Sequence, residues 1–313
     1  MPTVCASLPQ MLVIGIDENG LGPVLGPLLV TAAAFETEQY DAEQFWKAAG
    51  AELLTDDSKK IFSSTKLGSA EVAVWAWLRK FGIKPTTYAD LFSRIVQPMP
   101  VERPCTLEPA YCGPSATPLP CFAAGKDMAW LSEESKSLAV RGIRPAAVRA
   151  FSICPGAFNR ACAVEGMNKF ALDFMLMLRL VMSLSEGYEG DVLALCGKVG
   201  STRKYGPWFG RFHGGLWMPE EETPEISTYR IVPFGRISFI RDGDGSHLPI
   251  AAASMVGKYL RELAMRDINT LLLSPGIRTA SGYRDKITQQ FIEKTEALRH
   301  EVGLKDACFL RDS

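Results

Sequence analysis

No stretch of this 313-residue sequence supplies the ~20 consecutive apolar residues that a membrane-spanning helix needs. The longest apolar runs, such as residues 23–35, stop short of it, although 47% of the residues are hydrophobic. The opening MPTVCASLPQ lacks a basic segment followed by an apolar core, so no signal peptide and no membrane association are expected. CxxC pairs are missing as well. The cysteines at 5, 105, 112, 121, 154, 162, 196 and 308 are therefore expected to be reduced thiols in a cytoplasmic protein. Zinc on Cys105, Cys112, Cys121, Cys154 or Cys162 is disfavoured, because the spacings exceed those of usual ligand pairs. Net charge is also lacking: 34 Lys+Arg against 35 Asp+Glu leave −1, which excludes an overall basic nucleic-acid binder. The hydrophobic content excludes a disordered chain. Charge is unevenly spread, with 11 basic and 16 acidic residues over 1–140 but 23 and 19 over 141–313. That tilt is compatible with a local phosphate-contacting face.

What is present is a series of short apolar runs separated by turns. Residues 11–16 (MLVIGI) end in Asp17-Glu18, a Gly/Pro-rich turn covers 19–23, and a second apolar run covers 28–35. The pattern reads as strand, turn, strand. Residues 71–80 (EVAVWAWLRK) suggest a third strand, whereas 43–53 and 86–96 have helical character. Seven prolines and two glycines within 97–125 exclude a regular helix or central strand, leaving a loop or inserted subdomain. Residues 167–184 read as a helix largely buried on a sheet, interrupted by Lys169, Asp173 and Arg179. Short strands are expected at 191–195 and within 229–240. An amphipathic helix follows over 252–265, with Lys258 and Arg261 opposite its apolar face, and 268–313 is helical with a break at 274–282. The class is α/β with a mixed sheet.

Two acidic clusters invite chemistry. Asp17-Glu18 closes a strand of otherwise apolar residues, and Asp242-Gly243-Asp244-Gly245-Ser246 precedes the amphipathic helix. Ionised acids at a strand end are costly unless solvated, paired or metal-bound. Taken singly, each cluster is equally an ordinary turn or helix start. Asp57-Ser58-Lys59-Lys60 likewise offers lysines to a phosphate or forms a hydrophilic loop.

Their order along the chain carries a resemblance. The run from Gly15 through Asp17-Glu18-Asn19-Gly20-Leu21-Gly22-Pro23 to Gly26-Pro27 resembles the opening motif of the ribonuclease HII (type 2 ribonuclease H) family, GIDEAGRGPxxGP. Asp57-Ser58-Lys59-Lys60 is similar to that family's DSKK segment. Asp244, with Ser254 ten residues on and Lys258 beyond it, resembles GDxxxxxISAASIxAK. Gly282-Tyr283 stands where the family carries a Gly-Tyr pair. The resemblance implies a ribonuclease H-like mixed sheet flanked by helices. Its core would comprise 1–80 and 166–265, with an inserted subdomain over 81–165 and a C-terminal helical extension over 266–313.

The chemistry so implied is endonucleolytic hydrolysis of RNA in RNA/DNA hybrids or ribonucleotide-containing duplex DNA. Water would be activated by magnesium or manganese held on four carboxylates. Asp17, Glu18 and Asp244 match three of the four. Gly20, Leu21 and Gly22 match the loop whose main chain meets the ribose 2′-hydroxyl, and Tyr283 matches the tyrosine that packs on the sugar. Lys59, Lys60, Ser254 and Lys258 complete the expected substrate-binding set, and the chain is expected to be a monomer.

Three departures qualify these expectations. Where the family carries its remaining aspartate, at the end of the strand near 191–195, this chain has Cys196, and an alternative alignment puts Gly197 there. A thiolate is a poor magnesium ligand. Asp191 lies too far upstream and has the wrong strand parity, which leaves Asp242 as the best substitute. Leu21 replaces an arginine, and about ninety residues separate 78 from 167 where the family has a short connection. Three readings stay open: a working hybrid ribonuclease with a reduced metal site, a catalytically impaired hybrid- or nucleic-acid-binding protein, and a scaffold that uses the insertion as its interface.

Overall fold

Small and branched apolar residues fill β1 (Met11–Asn19) and β2 (Leu28–Thr37), so both strands can be covered on two faces. In the computed structural model, which describes residues 11–49, 62, 66–100, 113–126, 128, 131, 136–163, 166–232 and 235–312, the two strands pair antiparallel. β3 (Arg144–Ile153) lies antiparallel outside β2. On the other side of β1, β4 (Asp191–Gly197) runs parallel with Ile16 opposite Cys196. β5 (Trp217–Glu222), β6 (Ile226–Ile231) and β7 (Gly235–Ile240) complete the sheet, in the order β3-β2-β1-β4-β7-β6-β5. Because β4 and β7 are also parallel, the carboxyl ends of β1, β4 and β7 lie side by side along one edge.

Helices cover both faces. On one side are α1 (Ala42–Ala49), α2 (Leu67–Lys80), α3 (Tyr88–Ile95) and α4 (Lys136–Val140), packed with the long α8 (Leu248–Leu272). On the other side are α5 (Pro155–Ala163), α6 (Lys169–Ser185) and α7 (Gly206–Phe212). A third cluster gathers α9 (Lys286–Lys294), α10 (Glu296–Glu301) and α11 (Asp306–Phe309) around Leu25, Met265, Phe291 and Phe309.

Several expectations need correction. Residues 71–80 belong to helix α2 rather than a strand. Glu71 and the whole run from Ala73 to Leu78 are buried, so packing on all sides hides the helical period, and the alternating tryptophans mimic a strand. The strand that flanks β2 comes instead from 144–153, inside the segment expected to be an insertion, so the chain returns to the sheet well before residue 166. β5, with the sequence WMPEEE, gave no apolar signal. The amphipathic helix extends across the expected boundary at 265, and Arg261 is buried rather than on a solvated face.

Residues 113–126 form no helix or strand, in keeping with their prolines. They are clamped by the buried Glu71 carboxylate, which accepts from the N–H groups of Cys121 (2.8 Å), Phe122 (2.7 Å) and Ala123, and from the Tyr259 hydroxyl (2.6 Å).

α8 sits directly on the backbone of β1. A Cβ at Gly15 would lie 1.9 Å from the carbonyl carbon of Pro249, and one at Gly257 would lie 2.2 Å from Asn19 Oδ1 and 2.6 Å from Thr31 Oγ1. Pro249 and Gly257 are about 12 Å apart along a helix, and Gly15 and Asn19 about 13 Å apart along a strand, so the two contacts share one register. Gly15→Ala meets main chain that cannot swing aside, whereas Gly257→Ala meets side-chain tips. Chemical denaturation is expected to show Gly15→Ala costing about 3 kcal/mol or more, and Gly257→Ala about 1–3 kcal/mol.

Candidate functional site

Ligand sites in α/β sheets gather outside the carboxyl ends of parallel strands. Here the ends of β1, β4 and β7 open into a cavity of about 310 Å³. β1 delivers Asp17 and Glu18, the turn after it Gly20, Leu21 and Gly22, and β4 Gly197 followed by Lys198. Beyond β7, a short 3-10 turn over Gly243–Gly245 presents Asp244, with Asp242 just before it in a left-handed conformation (φ 49°). α8 contributes Ser254, Lys258 and Arg261, spaced so that one helix stripe faces the cavity, and the loop before α9 contributes Tyr283. Asp17, Glu18, Gly20, Leu21, Gly22, Asp244, Ser254, Lys258 and Tyr283 are thus brought to one cavity. Lys59 and Lys60 lie outside the described residues.

Local bonding sets this geometry. Glu18 accepts from the Leu21 N–H at 3.0 Å, and Gly20 turns the chain at φ 99°, a value that disfavours any side chain. The carbonyl of Gly282 accepts from Val24 N–H (2.8 Å) and Leu25 N–H (3.2 Å), which holds Tyr283 at the cavity mouth with half of its surface exposed.

Two arginines were not expected here. Arg261 lies under the Tyr283 ring, its guanidinium carbon 5.1 Å from the ring centre, and donates to the Ser281 carbonyl at 3.2 Å. Burial lowers its pKa. Its signal was legible as the shared stripe with Lys258; only the environment of that stripe was misjudged. Arg311 donates to the Gly20 carbonyl from the far end of the chain, and burial lowers its pKa to about 10. Nothing local in the sequence marks it.

The electrostatics of the acids follow from their crowding. Burial pushes the Asp17 carboxyl up to about 8, against the Ser254 hydroxyl that donates to it, and the charges of Glu18 and Asp244 add to the rise. This donor set suits a hard divalent cation, since three carboxylates share one cavity and a cation would relieve their repulsion. Among the described residues, no group of three or more His, Cys, Asp or Glu side chains stands in an arrangement that could hold a metal ion. Cys196 is fully buried and does not line the cavity, and burial raises its thiol pKa well above the ordinary value. At Gly197 a Cβ would lie 2.6 Å from Asp17 Oδ1, so a side chain there would displace the Asp17 carboxylate.

No protein-family model matches the sequence, and curated proteins give no match. Solved structures do match. The chain is similar to Bst-RNase HIII in complex with Mn2+, with TM-score 0.51 and 14% identity over 99% of this chain and 70% of that one. It is similar to a point mutant of the same Bst-RNase HIII, with TM-score 0.50 and 15% identity over 97% and 67%. A PCNA:RNase HII complex from Archaeoglobus fulgidus matches with TM-score 0.46 and 15% identity over 95% and 93%. The fold is ribonuclease H-like. At these identities the likeness extends to the fold and leaves the activity to the site.

Within this ribonuclease H-like fold, no disulfide involves Cys121, Cys154, Cys162, Cys196 or Cys308, while Cys5, Cys105 and Cys112 lie outside the described residues. No described helix is long and apolar enough to cross a membrane.

The raised Asp17 has a measurable consequence. Between its ordinary value of 3.8 and about 8, the folded protein holds a proton that the unfolded chain releases, so stability falls as pH rises through that window. The metal-free protein is expected to melt at a lower temperature at pH 8 than at pH 5. Asp17→Asn is expected to flatten that slope, by an amount on the order of a few kcal/mol across the window. Differential scanning calorimetry of both proteins against pH checks it.

Proposed function

We propose that the chain is a metal-dependent endoribonuclease that hydrolyses RNA in RNA/DNA hybrids or at ribonucleotides within duplex DNA. The observation that carries this reading is the convergence of Asp17, Glu18 and Asp244 with the Gly20–Leu21–Gly22 turn and Tyr283 around one cavity. Asp17, Glu18 and Asp244 would hold magnesium or manganese, and the similar Bst-RNase HIII structure is itself a Mn2+ complex. Such ions lower the pKa of bound water and stabilise the leaving oxygen.

The chain's own residues supply recognition. Gly22 has no atom within 4 Å of where its Cβ would stand, so a sugar can approach the main chain of the turn closely. That approach would read the 2′-hydroxyl, the group that separates RNA from DNA. Tyr283, braced from below by Arg261, offers a flat face to the neighbouring sugar or base. Lys258 and Arg261 place positive charge beside the acids, where a phosphate would lie between them.

A duplex with a single embedded ribonucleotide, and a full hybrid, incubated with Mg2+ or Mn2+, test the reading. Cleavage on the 5′ or 3′ side of the ribonucleotide is expected. Asp244→Asn and Asp17→Asn are each expected to lower the rate about a thousandfold, equivalent to about 4 kcal/mol of barrier. Cleavage that persists in Asp17→Asn would come from contamination and would sink the proposal. The buried Cys196 favours a second reading, hybrid binding without efficient cleavage. A gel shift at low salt with no product would select it.

A further inference from the structure

One peptide group in the cavity wall is held at both ends by opposite charges. The carbonyl of Gly20 and the N–H of Leu21 belong to a single trans peptide unit, so they point in opposite directions within one plane. The carbonyl accepts from the Arg311 guanidinium, and the N–H donates to Glu18 Oε2 at 3.0 Å. A cation at the oxygen and an anion at the N–H polarise the peptide in the same sense, so each bond strengthens the other. Leu21 then packs against the apolar layer on the α6 side of the sheet, while the place where a Gly22 Cβ would stand is open. Fixing that one plane therefore fixes the direction in which the turn offers Gly22 to the cavity.

Arg311 is an expensive way to hold a turn. Only 5% of it is exposed, and it does not line the cavity. Its guanidinium carbon lies 5.3 Å from the centre of the Phe158 ring, and its Nε and Nη2 have no hydrogen-bond partner among the described residues. Burial, and then the like charge of Arg261, disfavour its charged form, whereas Glu18 favours it. A guanidinium enclosed on those terms costs stability, and an apolar side chain of similar length would avoid the cost. The C-terminal segment does not need this side chain in order to dock. The Arg311 N–H bonds to the Val24 carbonyl at 2.9 Å, and Asn159 donates to the carbonyls of Ala307 (3.0 Å) and Leu310 (2.7 Å). We propose that Arg311 is a positioning residue for ribose recognition: through the Gly20 carbonyl, and against Glu18, it fixes the peptide plane from which Gly22 meets the 2′-hydroxyl. The assignment rests on the hybrid-recognition reading above and adds to it a residue behind the cavity. Leu21 leaves its own position uncharged, and the cation at this turn arrives from the opposite end of the chain.

Two duplexes of one sequence test this, one with a single embedded ribonucleotide and one all DNA. Fluorescence anisotropy with the full chain reads both affinities, with Ca2+ in place of Mg2+ so that binding is seen apart from turnover. Their ratio measures ribose recognition. Arg311→Met is expected to cut the ratio about tenfold while leaving affinity for the all-DNA duplex within about twofold of the parent. Arg311→Lys, which keeps a cationic donor for the Gly20 carbonyl, is expected to hold the ratio within about threefold of the parent. Hydrogen exchange over residues 18–24 should quicken in Arg311→Met, because one end of the peptide plane is released. Its melting temperature should match or exceed the parent's, since a buried charge is gone. A ratio lost together with a lowered melting temperature would mark a merely structural residue and overturn the assignment. Unchanged exchange and an unchanged ratio in Arg311→Met would overturn it too, while leaving the proposed function intact. A parent that binds the two duplexes equally, or neither, would overturn both.

Discussion

Contact between the main chains of β1 and α8 is the constraint on which the site depends. Side chains normally hold a helix well clear of a sheet; here Gly15 on the strand and Gly257 on the helix remove them at two points in register. A helix seated on main chain at Gly15 and on the Asn19 and Thr31 side chains at Gly257 cannot slide by a fraction of a turn without a collision. Ser254 lies between the two seats, and Lys258 and Arg261 just beyond them. Their positions relative to Asp17 and Glu18 are therefore set by these two close approaches. The hydrogen bond from Ser254 to Asp17 is the chemical outcome of that fit.

The turn after β1 is held from a different direction. Val24 and Leu25 bond to the Gly282 carbonyl, the Arg311 N–H bonds to the Val24 carbonyl at 2.9 Å, and the Arg311 guanidinium bonds to Gly20. Asn159 on α5 anchors the same C-terminal segment through the carbonyls of Ala307 and Leu310. The turn over Gly20–Gly22 is thus held by residues from distant parts of the chain, and its shape depends on the third hydrophobic cluster being folded. Repulsion among the acids opposes this assembly, and the apolar layers on either side of the sheet offset it.

Much of the site was legible because its signals are local. Asp17, Glu18, Gly20 and Gly22 occupy one strand end and turn, and Asp244, Ser254 and Lys258 occupy one turn and the following helix, so short motifs contain them. β1, β2, β4, β7, α6 and α8 followed from apolar periodicity for the same reason. What escaped depends on distant partners. α2 is buried on every side, so its pattern lost the helical period. β3 is strand only because the edge of β2 is free to pair with it, and its alternating exposure gave a weak apolar signal. Arg311 is invisible in sequence as a neighbour of the cavity, because it reaches Gly20 across nearly the whole length of the chain.

The far margin of the sheet has its own logic. β5 is the outermost strand, and an unpaired margin invites another chain to add to it. Pro219 offers no N–H for such a ladder, and Glu220 is held by Arg230 (3.0 Å) and Arg236 (2.8 Å) from the two neighbouring strands. Glu221 and Glu222 would have to give up water, and Glu222 its bond from the Tyr229 hydroxyl, for a second chain to dock there. The sheet can therefore grow from β1 outward to β5 and then stop, a terminus written in the same carboxylate chemistry that gathers where β1 and β7 end.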